Sequence, residues 1–184
     1  LAKKGRPMPA NFYVQEAANL FCGDHDPSAS KHLTLAEMAL PALQEIYQDH
    51  HPGGSMVQIE VALGVEKLLP TFKLAGDDPD MLSLFGLGRK KTNVFTSYGL
   101  IRDKRTGNAI ESKAIMEGRL GRIEAEAFQR GEFKSHDYAI NGVVHYELWW
   151  AGKERLYWDF FTTEFRIDGV LQNADEMRIL RIGA

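Results

Sequence analysis

The chain has 184 residues, a formal net charge of −3 and 44% hydrophobic residues, which allows one domain with a sizeable core and argues against disorder. The slightly acidic balance excludes tight nucleic-acid binding, because domains with that function are usually strongly basic. No run of about 18 apolar residues occurs, so no membrane-spanning helix is expected. The single cysteine, Cys22, excludes a disulfide within the chain and is expected to be a small buried or interfacial hydrophobe.

The first third of the chain leaves its secondary structure open in two places. Residues 1–10 form a basic arm with prolines, and residues 11–21 fit either a strand or a short helix. Between Thr34 and His50, residues with good helix propensity surround Pro41, which would break a helix. Helix and extended ribbon are therefore both possible for this segment. A turn at residues 51–54 then precedes a clear strand, because apolar residues alternate from Val57 to Val65.

Two shorter elements are predicted next. Residues 68–74 favour a strand in which Pro70 marks an edge or a bulge. The segment Asp77-Asp78-Pro79-Asp80 is typical of a helix start, since an acidic cap and a first-turn proline precede an apolar run. Gly86 and Gly88 would end this helix. We expect the short helix to cover one end of the core.

The stretch from Val94 to Val170 predicts four long strands joined as two hairpins. The first hairpin pairs residues 94–102 with 109–123, and a polar connection at 124–135 leads to the second, which pairs 138–150 with 156–168. Apolar residues alternate along 138–150, as in a strand with one buried face. In the last strand the alternation changes phase at Phe160-Phe161, which predicts a β-bulge or a strand that crosses between two environments.

Candidate chemical sites are weak throughout the chain. The six histidines include clusters at residues 24–26 and 49–51, but neither has the spacing of a metal site. Residues 86–92 differ from a phosphate-binding loop, which needs a glycine directly before the lysine. The carboxylates of the long strands fit cross-strand ion pairs, and the aromatic run from Tyr146 to Phe161 fits a core or interface cluster. We therefore expect no catalytic, cofactor-binding or metal-binding residues.

An ordered set of short segments runs through the chain from about Leu35 onward. The segments are Gly53-Gly54-Ser55-Met56, residues 72–77, Met116-Glu117-Gly118-Arg119, Arg130-Gly131-Glu132, Tyr146-Glu147-Leu148, Ile167-Asp168-Gly169-Val170 and residues 176–183. In this order they resemble the major tail tube protein of contractile-tailed bacteriophages, a family related in fold to the tubes of tail-like bacteriocins and of type VI secretion. The region before about Lys31 departs from the family pattern.

The resemblance implies a mainly β fold in a single domain, residues 1–184. The family fold is two antiparallel sheets packed nearly orthogonally into a sandwich or small barrel, with one short flanking helix and a long extended loop. Six copies form a hexameric ring with a continuous inner β-barrel, and the rings stack into a tube. The segment from Thr34 to His50 is then expected to be extended.

The resemblance also assigns parts of the chain to contacts between copies. Residues 33–56 are expected to be an extended loop that reaches the neighbouring ring, with contacts at Leu40, Pro41, Leu43, Gly53 and Gly54. Residues 94–169 are expected to be the wall-forming long hairpins. Contacts within the ring and in the wall are expected at Phe160, Phe161, Phe165, Gly118 and Arg119. The phase change at Phe160-Phe161 would then mark where the strand passes from the core toward a neighbour or the lumen.

The function implied is that of a structural subunit of the inner tail tube, with stacked rings as the conduit for DNA during ejection and with no enzymatic activity or cofactor. The implied partners are further copies of the chain, the tail sheath, tape-measure, baseplate and tail terminator proteins, and genomic DNA in transient, non-specific contact. The protein would be part of the virion tail after assembly in the host cytoplasm, without membrane insertion. Two alternatives stay open: the inner tube of a tail-like bacteriocin or secretion apparatus, and a small-ligand-binding β-barrel.

Overall fold

A computed structural model of the protein describes residues 11–23, 27–86 and 92–182. These residues form a mainly β structure with short helices at two places. The strands are β1 (Tyr13–Cys22), β2 (Leu35–Ala39), β3 (Glu45–His50), β4 (Ile59–Val65), β5 (Thr71–Ala75), β6 (Asn93–Asp103), β7 (Ala109–Ala125), β8 (Ser135–Trp150), β9 (Lys153–Asp159), β10 (Phe165–Ile167) and β11 (Val170–Leu171). The α-helices are α1 (Pro79–Ser83) and α2 (Ala174–Leu180), and a 3-10 turn spans Pro27–Ala29.

One antiparallel sheet holds all the strands except β3 and β4, which pair only with each other. The long path of the sheet runs β1-β6-β7-β8-β9-β10-β11, and β5 and β2 join it at β8. Strand β8 is shared, because its residues 135–139 pair with β5 whereas its residues 145–150 pair with β9. The sheet therefore divides along β8 into two halves. Within the described residues it does not close into a barrel, which contradicts the small barrel that the resemblance allowed.

Two glycines of β7 allow the long strands to approach closely where the sheet divides. A Cβ atom on Gly118 would lie 2.8 Å from Cγ2 of Ile140, and one on Gly121 would lie 2.9 Å from Cβ of Asn141. The register between β7 and β8 shifts at both glycines. Because irregular pairing of this kind bends a strand, the two halves of the sheet can pack against a common core.

Apolar residues from both halves form that core. The buried residues of β1 and of the β6–β9 path are Leu20, Phe95, Met116, Tyr146 and Leu156, and those near β5 are Phe72, Leu74, Leu120, Tyr138 and Ile140. Burial raises the pKa of the Tyr146 phenol to about 12, because the ionised form is disfavoured away from water. The body of the subunit is therefore stabilised by its own apolar packing.

Helix α1 covers part of this core, as the sequence predicted. Asp78 is the N-cap, and its carboxylate accepts a hydrogen bond from the backbone N–H of Asp80 at 3.2 Å, while Pro79 stands in the first turn. Met81 turns into the core and is 1% exposed. Asp78 also pairs with Lys31, whose Nζ lies 2.6 Å from the carboxylate, and both side chains are largely buried. The helix is thus fixed by a cap, a core residue and an ion pair.

The predicted single strand over residues 156–168 is wrong. Strand β9 ends at Asp159, and β10 begins at Phe165. The Asp159 carboxylate accepts hydrogen bonds from the backbone N–H groups of Phe161 and Thr162, at 2.9 and 2.8 Å, and so closes a turn. The phase change at Phe160-Phe161 is therefore a turn between two strands, and not a bulge or a crossing.

Two predictions about helices also need correction. Helix α1 ends at Ser83 with Leu84 as its C-cap, so Gly86 does not end it, and Gly88 lies outside the described residues. The expectation of one short flanking helix is wrong, because a second helix, α2, follows Asn173. Its first turn carries acidic residues, which the helix dipole favours there.

The two segments that the sequence left open are extended. Residues 13–22 form a strand, and the segment 34–50 is extended, as the resemblance implied, with Pro41 between β2 and β3. The first long hairpin is present, whereas the second pairs residues 145–150 with 153–159 and not with 156–168. It turns through only Ala151 and Gly152, which have the positive φ angles that a two-residue turn of this kind needs. None of the described helices is long and apolar enough to cross a membrane. The orthogonal packing and the hexameric ring stay expectations.

Candidate assembly surfaces

Strands β3 and β4 form a hairpin arm, defined here as residues 45–65, that is separate from the main sheet. Its cross-strand pairs run from Glu45 opposite Val65 at the root to His50 opposite Ile59 near the tip. A register shift near the root coincides with Gly64, whose φ is +149°. Every residue of both strands is exposed. The arm is therefore held by its backbone pairing and has no core of its own.

One face of the arm carries exposed apolar residues of β4 beside polar residues of β3. Directly paired residues lie on the same face of a hairpin, so Val61 and Ile59 share a face with Gln48 and His50. Ile59 is 53% exposed and Val61 is 40% exposed. The opposite face carries acidic groups, including Glu60. Apolar side chains this exposed along one face indicate a surface that another molecule covers.

The tip of the arm continues the apolar surface. Met56 is fully exposed, and Val57 is 68% exposed. Gly53 and Gly54 precede them in open space, since a Cβ atom on either would have no neighbour within 4 Å. The structure thus places these two predicted contact residues at the turn of the hairpin, and β4 continues the extended segment back toward the body.

The other three residues predicted for contact between rings lie at the root of the arm. Leu40 and Leu43 are exposed, whereas Pro41 between them is buried. The backbone N–H of Glu66 donates to the carbonyl of Gln44 at 2.8 Å and closes the root. The predicted set is therefore divided between the two ends of the arm, and it includes one residue that is already covered within the chain.

An apolar cavity of about 400 Å³ lies beside the root of the arm. Its lining includes Leu43 before the arm, Val65 from the arm and Trp158 from β9. The Asn173 side chain at its edge donates to the carbonyl of Thr163 and accepts from a backbone N–H of β10, so this amide is satisfied within the chain. The cavity is a recess between arm and body with an apolar lining.

The residues predicted for the wall and for contacts within a ring lie in two separate places. Phe160 and Phe161 form the exposed turn between β9 and β10, and their rings meet edge to face with centroids 5.5 Å apart. Phe165 in β10 is half-buried and packs against the core. Gly118 is buried at the bend of β7, next to the exposed Arg119. Within this set, the Phe160–Phe161 pair has the apolar exposure that a contact between subunits requires.

A polar network follows β8 and β9 on the side away from the core. The His145 ring lies 3.0 Å from Asp159 and 2.9 Å from Glu147, and Trp149 donates to Glu147 at 2.6 Å. Burial opposes ionisation of Asp159, but the backbone N–H of Thr162 and the His145 ring outweigh it and hold the pKa of this carboxyl below its usual value. These groups satisfy one another within the chain.

A second set of charges on the neighbouring strands is also paired. The guanidinium of Arg166 lies 3.6 Å above the ring of Tyr157 and 3.0 Å from the carboxylate of Glu154. This contact holds the pKa of the Glu154 carboxyl below its usual value. Both networks are therefore surface ion-pair networks that fix β8, β9 and β10 relative to one another, and their geometry is not that of a catalytic site.

The chemical sites considered from the sequence do not assemble within the part of the chain that the structure describes. Within residues 11–23, 27–86 and 92–182, no three His, Cys, Asp or Glu side chains are placed to hold a metal ion. The cluster at 24–26 and the middle of the glycine-lysine segment, 87–91, lie outside the described residues. Cys22 is buried in the core, and burial raises the pKa of its thiol to about 12, which keeps it from acting as a thiolate nucleophile.

The main sheet has edges that the described strands leave open. Strand β1 pairs with β6 on one side, and its other side has one bridge, from Phe21 to Ser30. Strand β2 likewise pairs with β5 alone. Open strand edges present unpaired backbone groups to which a further strand can add. The sheet is therefore suited to continue into a neighbouring molecule.

The connection at residues 126–134 holds a feature that sequence reasoning missed. It was predicted only as a polar connection, yet Phe128 is 82% exposed and Phe133 is 87% exposed. The signal in the sequence is two phenylalanines in a loop that is otherwise polar. Exposed phenylalanines contribute little apolar packing to an isolated subunit. The loop is therefore a further candidate contact surface.

The comparison that decides the family is a match to the family model of phage tail tube protein FII over residues 28–180. The match contains every strand from β2 onward and both helices. The chain belongs to the phage tail tube protein FII family. As a member of this family it is a structural protein of a tail assembly and not an enzyme. Among curated proteins, none matches the chain.

Solved structures of contractile injection systems contain chains with a loosely similar fold. A chain of the sheath/tube terminator of PVC, an extracellular contractile injection system, in its extended state has 7% identity and a TM-score of 0.48, covering 77% of this chain and 97% of its own. A chain of the PVC sheath-tube complex has 7% identity, a TM-score of 0.49 and coverages of 77% and 92%. A chain of the anti-feeding prophage (AFP) baseplate has 10% identity, a TM-score of 0.49 and coverages of 79% and 97%.

Proposed function

We propose that this chain forms the inner tube of a contractile phage tail, as rings of six copies that stack and enclose the conduit for DNA during ejection. The observation that carries the proposal is the arm, whose apolar face has no cover within the described chain. In a single subunit this face contributes no apolar packing. Contact with a neighbouring ring would bury it and would give the arm a function.

Contacts within a ring would use the open edges of the main sheet. Addition of the edge strand of one copy to the sheet of the next would continue the hairpins of residues 94–169 around the ring, and closure of the ring would remove the edges. The exposed Phe160 and Phe161 support a contact near the β9–β10 turn. Head-to-tail contacts of this kind are heterologous, so they give closed rings and open-ended stacks.

The charge balance supports passage of DNA through such a tube. DNA carries one charge about every 1.7 Å along its axis, so a strongly basic wall would hold it. The chain has 22 Lys and Arg against 25 Asp and Glu. On the long strands, Arg122 pairs with Glu124, and Arg166 pairs with Glu154. Contact with DNA would therefore be transient and non-specific.

The remaining partners follow from the role of an inner tube. The tube would be enclosed by the sheath protein, start on the baseplate, assemble around the tape-measure protein and end at the tail terminator. Its location would be the virion tail, with assembly in the host cytoplasm.

Negative-stain electron microscopy of the purified full chain tests the assembly. We expect hollow rings of uniform diameter with six-fold views and, at higher concentration, tubes. The matched variant is Ile59→Ser with Val61→Ser, which removes the apolar face of the arm and should give rings without tubes. A wild-type chain that stays a stable monomer at high concentration would contradict the proposal.

A separate measurement tests the conduit. Assembled tubes are mixed with double-stranded DNA at about 150 mM salt, where interactions between exposed charges are screened beyond roughly 8 Å, and are then sedimented. We expect the DNA to stay in the supernatant. Co-sedimentation of the DNA with the tubes would contradict a wall along which DNA slides.

A further inference from the structure

We propose that the arm of one copy docks on an apolar end patch of a copy in the adjacent ring, and that this patch is formed by Leu33, Phe128 and Phe133. The inference rests on the proposed function and names the surface that receives the arm.

The three residues of the end patch belong to two loops that are both held at the same end of β5. Leu33 is 87% exposed, like Phe133, and Phe128 is 82% exposed. The turn that carries Leu33 is held by the backbone N–H of Ala75, which donates to Thr34 at 2.7 Å. The 126–134 loop is held at the same end, because the N–H of the next residue, Gly76, donates to the carbonyl of Lys134 at 2.8 Å. Large apolar side chains gathered in this way indicate an interaction site.

The arm leaves the body from the opposite end of the same strand pair. Strand β2 leads into the arm after Ala39, which pairs with Thr71, the first residue of β5 after the arm. The end patch follows the other end of β5, where Ala75 pairs with Ser135. A subunit thus has its apolar projection at one end and its apolar patch at the other. Two copies stacked in the same orientation would bring the arm of one to the patch of the next.

The arm is large enough for such a contact. Its strands of 6 and 7 residues, at about 3.3 Å per residue, give it a reach of roughly 20 Å from root to tip. Its large apolar side chains are at least two-fifths exposed. The arm can therefore supply apolar surface along its whole length to a ring-to-ring contact.

The arm is acidic, and the 126–134 loop carries both signs of charge, with Arg130 and Lys134 beside Glu126 and Glu132. Residues 45–65 contain Glu45, Asp49 and Glu60 but no lysine or arginine. In the 126–134 loop, Arg130 is exposed and has no ion-pair partner in the described parts of the chain. An arm docked on the end patch would bring its carboxylates near this cation. The other cations of this end, Lys31 and Lys134, already pair with Asp78 and Asp77.

Disulfide cross-linking between two different variants tests the contact, since it reports only on contacts between copies. Met56→Cys and Phe128→Cys are prepared separately, each with Cys22→Ala, and are mixed before assembly. We expect the mixed tubes to give a cross-linked dimer that either variant alone does not give, and expect the dimer to be lost when the tubes are dissociated before oxidation. The matched control, Met56→Cys mixed with Phe161→Cys, should give none.

The outcomes separate the two proposals. Tubes that form without the Met56–Phe128 cross-link, or with the Met56–Phe161 cross-link in its place, would overturn the docking site and leave the tube function intact. A wild-type chain that forms no tube would overturn the proposed function and the docking site with it.

A second pair of variants tests the end patch without introduced cysteines. Phe128→Ser with Phe133→Ser should give rings that do not stack, with a melting temperature of the isolated subunit unchanged from wild type. Val170→Ser, which alters another exposed apolar residue away from this end, should form tubes like wild type. Normal tubes from the Phe128→Ser, Phe133→Ser variant would overturn the role of the patch.

Discussion

The body and the arm of this subunit use apolar residues in opposite ways. In the body, alternating apolar residues of the long strands turn inward, and Phe95, Met116 and Ile140 have no exposed surface. In the arm, the same alternation from Ile59 to Val65 leaves every residue exposed. The two regions have similar patterns in the sequence but different partners. The body packs on itself, whereas the exposed apolar residues of the arm have no covering layer among the described residues. Substitutions should therefore affect folding in the first region and assembly in the second.

The largest expected effect comes from truncation in the core. Phe95→Ala should lower the free energy of unfolding by about 3–5 kcal/mol, because it removes apolar contacts and leaves a cavity. Urea denaturation followed by circular dichroism, at a concentration where the chain is monomeric, measures the change. The matched control is Phe128→Ala, an exposed phenylalanine that should change stability by less than about 0.5 kcal/mol. A similar loss of free energy of unfolding in Phe95→Ala and Phe128→Ala would contradict the difference in burial between these two positions.

A somewhat smaller loss is expected at the buried ion pair of the body. Lys31→Ala leaves the carboxylate of Asp78 without its cation at a site where the two side chains are 9% and 14% exposed. We expect a loss of about 2–3 kcal/mol, less than for a fully buried pair. Lys134→Ala is the control, because its partner Asp77 is 74% exposed, so water screens this pair and its loss should destabilise the chain much less. Equal losses in thermal unfolding would contradict this ranking.

The bend of β7 should be the next most sensitive position. An alanine at Gly118 would place its Cβ 2.8 Å from Cγ2 of Ile140, so the strands would have to shift. The expected cost of overpacking is about 1–3 kcal/mol, measured by urea denaturation. Gly54→Ala at the tip of the arm serves as the control, since a Cβ there meets no atom within 4 Å. If Gly54→Ala lowered the free energy of unfolding as much as Gly118→Ala, the close approach of β7 and β8 at Gly118 would be contradicted.

Acid should weaken the body through Asp159. The pKa of this carboxyl is lowered in the folded chain, so its contribution is present above the usual carboxyl pKa of about 4 and is lost as the pH falls through the lower folded value. The difference in melting temperature between wild type and Asp159→Asn should therefore shrink as the pH is lowered from 6 to below about 3. A difference that does not vary with pH would contradict the assignment.

The smallest effect on folding is expected in the arm. Ile59→Ser with Val61→Ser should change the free energy of unfolding by less than about 0.5 kcal/mol, because neither side chain packs on the body. Urea denaturation of the monomer measures the effect on stability, and electron microscopy of the assembled protein measures the effect on tube formation. A large loss of stability would show that the arm packs within its own subunit.

Sequence patterns predicted the elements whose partners lie close along the chain. Alternation indicated β4 and β8, and Asp78-Pro79 indicated the start of α1. The turn at Asp159 was missed because apolar residues continue through Phe160 and Phe161, and the carboxylate that closes the turn is visible only with its backbone partners. Helix α2 was missed although Asn173 and two acidic residues are present, since it is short and has no buried residue.

The candidate surfaces were harder to predict than the fold. Alternating apolar residues look the same whether the covering layer belongs to the chain or to a neighbour, so the exposure of the arm could not be derived from Val57–Val65 alone. The resemblance supplied the expectation of an extended segment, but it placed Pro41, which is buried, among the contacts. The exposure of Phe128 and Phe133 depends on where the loop lies in the fold, and the local signal is limited to two phenylalanines in an otherwise polar loop.

The placement of the arm and the end patch at opposite ends of one strand pair gives the subunit a direction. Every stack of such subunits in one orientation is polar: one terminal ring presents free arms, and the other presents free patches. A protein that starts the stack and a protein that stops it then contact different surfaces. One terminus presents a projecting acidic hairpin, and the other presents an aromatic surface. The same subunit can therefore be recognised differently at the two termini without any change in its own conformation.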